Sequence, residues 1–219
     1  MEDTYKHKGL RKQLVREIID KGIKDKKVIE AIGKIPRHFF FDKIFDMHAY
    51  EDKAFPIASG QTISQPYTVA FQTQLLEIKP GDKILEIGTG SGYQAAVLCE
   101  LGADVYTIEY QKELYQKVIR FLPSIGYQPH MYHGDGSKGL TRFAPYDGII
   151  VTAGAPSVPE ELVDQLKPGG RLVIPVGDNR MQAMVLIKKI NEDEIEKKVF
   201  NNFSFVPLLG KKGWHQKSD

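Results

Sequence analysis

The apolar positions of the chain change their spacing part-way along. From Lys8 to Asp20 they fall at Leu10, Leu14, Val15, Ile18 and Ile19. These three- and four-residue steps mark one helix face, with Gly22 as its stop. Asp25 can cap a second helix carrying Val28, Ile29 and Ile32, which runs towards the "KIPR" of Lys34 to Arg37. In the aromatic run "HFFFDKIF", Phe39, Phe40, Phe41 and Phe45 are expected to pack this helical part onto the main sheet. Pro66 then opens a third helix, where its missing N–H costs nothing, with Val69, Ala70, Leu75 and Leu76 as the apolar side.

From Lys79 onward, short apolar runs alternate with helical stripes. Strands are predicted at Lys83 to Ile87, Val105 to Ile108, about Gln128 to His133, in "YDGIIVT" and in "GRLVIPVG". Helices are predicted at about Tyr93 to Leu101, Gln111 to Leu122 and Pro159 to Leu166. This alternation predicts an α/β fold with a doubly wound, mostly parallel sheet. Met181 to Ile190 and Glu194 to Phe205 are expected to close it as antiparallel strands. No repeat or linker divides the chain. Residues 1–219 are therefore expected to form a single domain, with a helical appendage over 1–78 and the sheet over 79–219.

Charge excludes some partners. Thirty basic against 28 acidic residues leave a formal net charge of +2, which provides no footprint for nucleic acid or an anionic membrane. No apolar run reaches the roughly 18 residues needed to cross a bilayer, and "MEDTYKHKGLRKQ" has no signal-peptide core. Cys99 is the sole cysteine, so a reducing, cytoplasmic location is expected.

"LEIGTGSGY" joins a buried strand to a helix. Its glycines, Gly88, Gly90 and Gly92, allow a tight turn and close approach of a ligand to the backbone around Thr89 and Ser91. The third dinucleotide-binding position holds Tyr93 rather than glycine, which argues against a pyrophosphate and against NAD. Glu109 closes the next strand, where a carboxylate can take both ribose hydroxyls of an adenosine. Asp135 and Gly136, in "GDG", follow the third strand, where an adenine edge would lie. Glu86 could hold a cationic amino group. Taken singly, a glycine turn can be structural and Glu109 a solvated strand end. In this order and register, the set suits an adenosine carrying a sulfonium amino acid.

One further stretch is odd. "SGQTISQPYT", Ser59 to Thr68, has no charge in a chain that is 26% Asp, Glu, Lys and Arg.

"ILEIGTGSGYQAA", "YTIE", "HGDG", "PYDGIIVTA" and "LKPGGRLVIPVG" resemble the successive motifs of class I S-adenosylmethionine methyltransferases. "GQTISQPYTVA", with "IPRHFF" and "FVPLLG", resembles the signature of protein-L-isoaspartate O-methyltransferases, and the likeness spans nearly the whole chain. The resemblance implies a Rossmann-like methyltransferase fold with S-adenosylmethionine as co-substrate and no metal. It implies methylation of the α-carboxylate of L-isoaspartyl residues in damaged proteins and peptides, giving an ester that can relax through succinimide. By position it implies Ser64 as the active-site serine.

The uncharged run then has a reading as a carboxylate cradle. A carboxylate needs alignment rather than a general base. A lysine or arginine would pair with it and draw away the electron density that attacks. Thr62, Ser64, Gln65 and free N–H groups ahead of the Pro66 helix can orient it without that pairing. Backbone contacts to the acceptor are expected along Gln61, Thr62, Ile63, Ser64 and Gln65, and from the Phe205 to Leu209 segment, Val206 and Pro207 above all. Ser64 also has a plainer reading as a cap of the Pro66 helix.

Another acceptor, an RNA or a small molecule, is the alternative, with the charge balance against RNA. A non-catalytic adenosine-binding regulator is a second, with the intact acceptor run against it. No GxSxG elbow or HExxH motif is present. His130 and His133 are expected to be solvated or satisfied in the core, Cys99 to pack in the core, and the lysine pairs beginning at Lys188, Lys197 and Lys211 to be solvated. A monomer is expected.

Overall fold

A computed structural model describes residues 2–178 and 181–214, apart from the side chains of Asn201 and Asn202. The last five residues of the "KKGWHQKSD" tail lie outside the described residues.

Two helices open the chain, α1 (Tyr5–Asp20) and α2 (Lys26–Lys34). α1 begins earlier than its apolar stripe because Thr4 and His7 form a capping box. Asp25 caps α2 by accepting from Lys27 and Val28. The aromatic run becomes two 3-10 helices, Arg37–Phe40 and Lys43–Tyr50. Phe40 packs edge-on against Tyr93 and Phe121, and Phe41 against Phe55. Phe45 does not share that role, being 49% exposed. In a 3-10 helix, side chains three apart stack on one face, and so uniformly aromatic a run does not mark which face turns inward. Two short strands, β1 (Phe55–Pro56) and β2 (Thr62–Ile63), pair antiparallel ahead of α3 (Pro66–Leu76).

The sheet is built from β3 (Lys83–Ile87), α4 (Tyr93–Glu100), β4 (Asp104–Glu109), α5 (Lys112–Ser124), β5 (His130–His133), β6 (Tyr146–Val151), α6 (Glu160–Asp164), β7 (Leu166–Gly177), β8 (Gln182–Lys189) and β9 (Ile195–Phe203). Its order is β5-β4-β3-β6-β7-β8-β9. The first five strands pair in parallel, and the β7–β8 and β8–β9 pairings are antiparallel. α6 is shorter than its sequence pattern because β7 begins at Leu166.

Both faces of the sheet are buried, so the strands read as apolar runs and alternate between two cores. Ile84, Val105, Ile150, Val173 and Met184 join the core that α1 to α5 cover. Leu85, Ile87, Ile149, Val151, Leu172 and Val185 join the other, against α6. Cys99 is partly buried against the first core, and burial pushes its thiol up to about 12, so it is no nucleophile. Of the lysine pairs, Lys189 departs from expectation: it is buried on β8 and reaches Glu192 at 2.7 Å. His130 is exposed and lies 3.2 Å from Asp104. No helix of the described residues is long and apolar enough to cross a membrane.

Polar staples fasten the helical appendage. Arg11 spans Asp3, Tyr50 and the Gly33 carbonyl. His38 joins the Tyr50 hydroxyl and the Glu2 carbonyl.

Candidate active site

The strand order reverses between β3 and β6, and the crevice at their carboxyl ends is where open α/β sheets bind ligands. The loop after β3 runs through Gly88, Gly90 and Gly92, all at positive φ. Gly88 admits no side chain. A Cβ there would lie 2.5 Å from Thr152 Oγ1 at φ 95°, and the Thr152 hydroxyl donates to the Gly88 carbonyl at 2.6 Å. The end of β6 thus holds the loop that leaves β3. Gly92 is equally constrained, because a Cβ would meet Val118 and Leu122 of α5.

Glu109, at the end of β4, accepts from the Gly90 N–H and the Gln111 N–H, both at 2.8 Å. Two of the roughly four lone-pair sites of a carboxylate are used in this way, and the others remain for a ligand. Glu86 lies elsewhere than expected. It is fully buried beneath the loop and accepts from Thr107, whose hydroxyl also meets that of Thr89 at 2.6 Å. Asp135 also turns away from the cleft. It caps the turn Gly136–Lys138 by accepting from the Ser137 N–H and hydroxyl, and its other oxygen accepts from the Lys211 N–H. Gly136 itself lines the cleft.

The residues expected on the acceptor side come from two distant segments. Gln61, Thr62 and Ser64 line the same cleft as Gly88, Thr89, Gly90, Ser91 and Glu109, and Val206 and Pro207 line it as well. Ile63 alternates inward to the core, 1% exposed. The Gln65 amide donates to Asp52 at 2.9 Å rather than lining the cleft. Asp52 also takes the Tyr67 N–H at 2.7 Å, so that N-terminal donor of α3 is not free for an anion. Lys21 pairs with the same carboxylate at 2.6 Å. Val206 and Leu208 are held by backbone hydrogen bonds to Gly154, each 2.8 Å.

The cleft also contains Tyr93, Gln94, Tyr110, Gln111, Thr152 and Ala153, none of which the sequence marks as a binding residue. Tyr110 and Gln111 directly follow Glu109, and Thr152 and Ala153 directly follow β6, so position at the strand ends was the available signal. Asp52 had no such signal.

A model of the family described as protein-L-isoaspartate(D-aspartate) O-methyltransferase matches residues 9–213. The chain belongs to this family. The protein-L-isoaspartate O-methyltransferase of Cytophaga hutchinsonii is 57% identical over 219 residues, all of this chain and 99% of that one. A solved protein-L-isoaspartate O-methyltransferase structure superposes with a TM-score of 0.82 at 30% identity, over 93% of this chain and 67% of the other. A Plasmodium falciparum structure, described as a putative protein-L-isoaspartate O-methyltransferase in complex with S-adenosyl-L-homocysteine, has a TM-score of 0.78 at 25% identity. It is covered over 98% of its length, and this chain over 91%.

Two residues of this isoaspartate methyltransferase family member invite direct tests. Glu109→Ala is expected to weaken binding of the methyl donor by roughly 1.5–3 kcal/mol, the worth of hydrogen bonds to a charged group. Calorimetric titration measures it, and unchanged affinity would leave Glu109 as a brace for Gly90 and nothing more.

For Glu86, burial pushes the carboxyl up to about 8; the Thr107 hydrogen bond opposes this and nearby Glu109 adds to it. The folded value lies above the ordinary 4.5, so between those limits the folded protein binds more protons than the unfolded chain. The associated stability is complete below 4.5 and is lost as pH rises towards 8. Glu86→Gln keeps the shape without ionising. The melting temperature of the variant, relative to the parent, is expected to climb steadily from about pH 5 to about pH 8. A difference independent of pH contradicts the buried, protonated carboxyl.

Proposed function

We propose that the protein is a repair methyltransferase that transfers a methyl group from S-adenosylmethionine to the α-carboxylate of L-isoaspartyl residues in damaged proteins. The observation that carries this reading is the meeting of two segments at one cleft. The uncharged residues Gln61, Thr62 and Ser64 line one cleft together with Val206, Pro207, the glycine loop and Glu109. The same arrangement supports a single domain: residues 1–78 supply Gln61, Thr62 and Ser64, while 79–219 supply the donor side together with Val206 and Pro207.

The donor fits the residues present. Gly88 and Gly90 allow its amino-acid portion close to the backbone, and Glu109 has lone pairs left for two ribose hydroxyls. Gly136 and Tyr110 offer a place for the adenine. Glu86 supports the loop from below through Thr107 and Thr89, and Asp135 supports the 136–138 turn. When bound, the donor supplies a methyl group on a sulfonium. The acceptor oxygen takes that carbon as the sulfur–carbon bond breaks, giving the ester and S-adenosylhomocysteine.

The chain's own residues align and shield. Ser64 and Thr62 donate hydroxyl hydrogen bonds to the acceptor carboxylate and turn one of its oxygens towards the donor. Neither removes a proton, since the acceptor has none to lose at neutral pH. Val206 and Pro207 guide the flanking peptide. The near-balanced charge of the chain supports a polypeptide acceptor over an RNA.

The test mixes the protein with labelled donor, an isoaspartyl peptide, its aspartyl twin and a structured RNA. Label in the isoaspartyl peptide alone is expected. Label in RNA alone, or in nothing, sinks the reading.

A further inference from the structure

Arg37 is among the largest fully buried side chains, at 1% exposure. Its Nε donates to the Ala49 carbonyl at 2.8 Å and its Nη2 to the Ser64 carbonyl at 3.0 Å. Its guanidinium lies over the Tyr93 ring, 4.5 Å from the centroid, and over Phe41 at 5.3 Å. Burial lowers its pKa to about 10, against the pull of Tyr93 and Asp52, so it remains a cation at neutral pH.

Scaffolding alone does not call for such a residue. Taking a cation out of water is costly, and well-packed apolar side chains fill such space at least as stably. Its contacts suggest a different use. One hydrogen bond grips the peptide that carries the Ser64 side chain. The ring beneath it belongs to Tyr93, the first residue of α4 and a lining residue of the cleft. Asp52 in turn holds the Gln65 amide and the Tyr67 N–H. Residues 64–67 are therefore held between a buried cation on a carbonyl and a buried carboxylate on donors. Both charges come from the helical appendage.

We propose that Arg37 is a positioning residue that sets the acceptor loop against the start of α4, the helix that follows the glycine loop, and lends the cleft positive potential through the Ser64–Gln65 peptide. This rests on the reading of residues 61–65 as the acceptor side. A guanidinium bonded to the Ser64 carbonyl polarises that amide, so the Gln65 N–H becomes a stronger donor. The acceptor carboxylate then feels a cation without pairing with one. That reconciles an uncharged cradle with an anionic substrate: the charge stands one peptide behind it.

The experiment measures Arg37→Gln, Arg37→Lys, Ser64→Ala and the Arg37→Gln/Ser64→Ala double variant. For each, kcat and KM on an isoaspartyl peptide, donor Kd by calorimetry and melting temperature are recorded. Arg37→Gln is expected to lower kcat/KM on the order of 10²-fold, the cost of misplacing a substrate by about 1 Å. Donor Kd should change less than about 3-fold, since Arg37 touches no donor-binding atom. In the double variant the kcat/KM losses should be far from multiplicative, while the losses in melting temperature add.

Equal weakening of donor and acceptor, or fully multiplicative kcat/KM losses, overturns the proposal. Should Arg37→Gln fail to fold, Arg37→Lys decides. It keeps the charge but loses the two-carbonyl span, and a loss of about 10-fold in kcat/KM with unchanged donor Kd is expected. An unchanged kcat/KM overturns the proposal. Should Ser64→Ala leave kcat/KM intact, the reading of the acceptor loop fails, and Arg37 stands or falls on its acceptor-against-donor split alone.

Discussion

Against an aspartyl peptide of otherwise identical sequence, kcat/KM is expected to fall by ~10³-fold or more relative to the isoaspartyl form. An isoaspartyl linkage routes the backbone through the side chain, so the free group is the α-carboxylate and the main chain gains a methylene. Both isomers carry the same charge, so a cation in the cleft would bind either. Apart from Glu109 on the donor side, the residues lining the cleft are instead backbone and neutral side chains. The segment at Val206 uses one edge on Gly154, and in an extended chain the opposite edge presents the Pro207 carbonyl. Thr62 lines the same cleft within a short paired strand. Seating the aspartyl carboxylate at Ser64 moves the flanking chain off both edges.

A single methylene in a simple pocket is worth only ~1–3 kcal/mol. Displacing the whole chain path leaves several buried donors and acceptors unpaired, which costs more. Flanking side chains should matter little, because the contacts are to main chain. A peptide series with varied neighbours, read by methyl ester formation, checks both points. Comparable rates on the two isomers, or demand for one particular neighbour, would remove the repair function even if methyl transfer were seen.

Ser64→Ala is expected to reduce turnover on the order of 10²-fold, the usual loss when a positioned donor is removed. Donor affinity should stay within about 3-fold. The hydroxyl stands on the loop rather than on the glycine turn, and Glu109 and Gly90 are tied to each other without it. The backbone position of residue 64 is set by Arg37 and by α3, so alanine removes the hydroxyl and leaves the loop in place. Thr62 lines the same wall and can partly substitute, which makes Thr62→Ala/Ser64→Ala the more severe variant. Single-turnover kinetics with saturating donor separates the two halves of the site. Collapse of donor affinity with normal turnover at saturation would move Ser64 to the donor side.

The legible part of the molecule was local. β3, the glycine turn and α4 could be read within a residue or two, because a strand buried on both faces, a positive-φ turn and a helix start each leave a mark within a few positions. Glu109 could be read for the same reason, as the last residue of the next strand. Glu86 could not. Alternation separates buried from exposed only when one face meets water, and β3 is buried on both, so nothing in the pattern placed that carboxyl beneath the loop. Asp135 is a similar case: an Asp before a glycine serves a ligand or caps a turn with equal local logic, and the Lys211 N–H that occupies it lies 76 positions away.

The tertiary structure alone decided which segments met. Ser64 and Val206 share a cleft across more than half the chain, Asp52 claims the N–H of Tyr67, and Arg37 hides behind Ser64. An amino-acid type reports its own preference for water. Whether a charge is buried depends on the partner that makes burial tolerable, and that partner is brought into place only by folding.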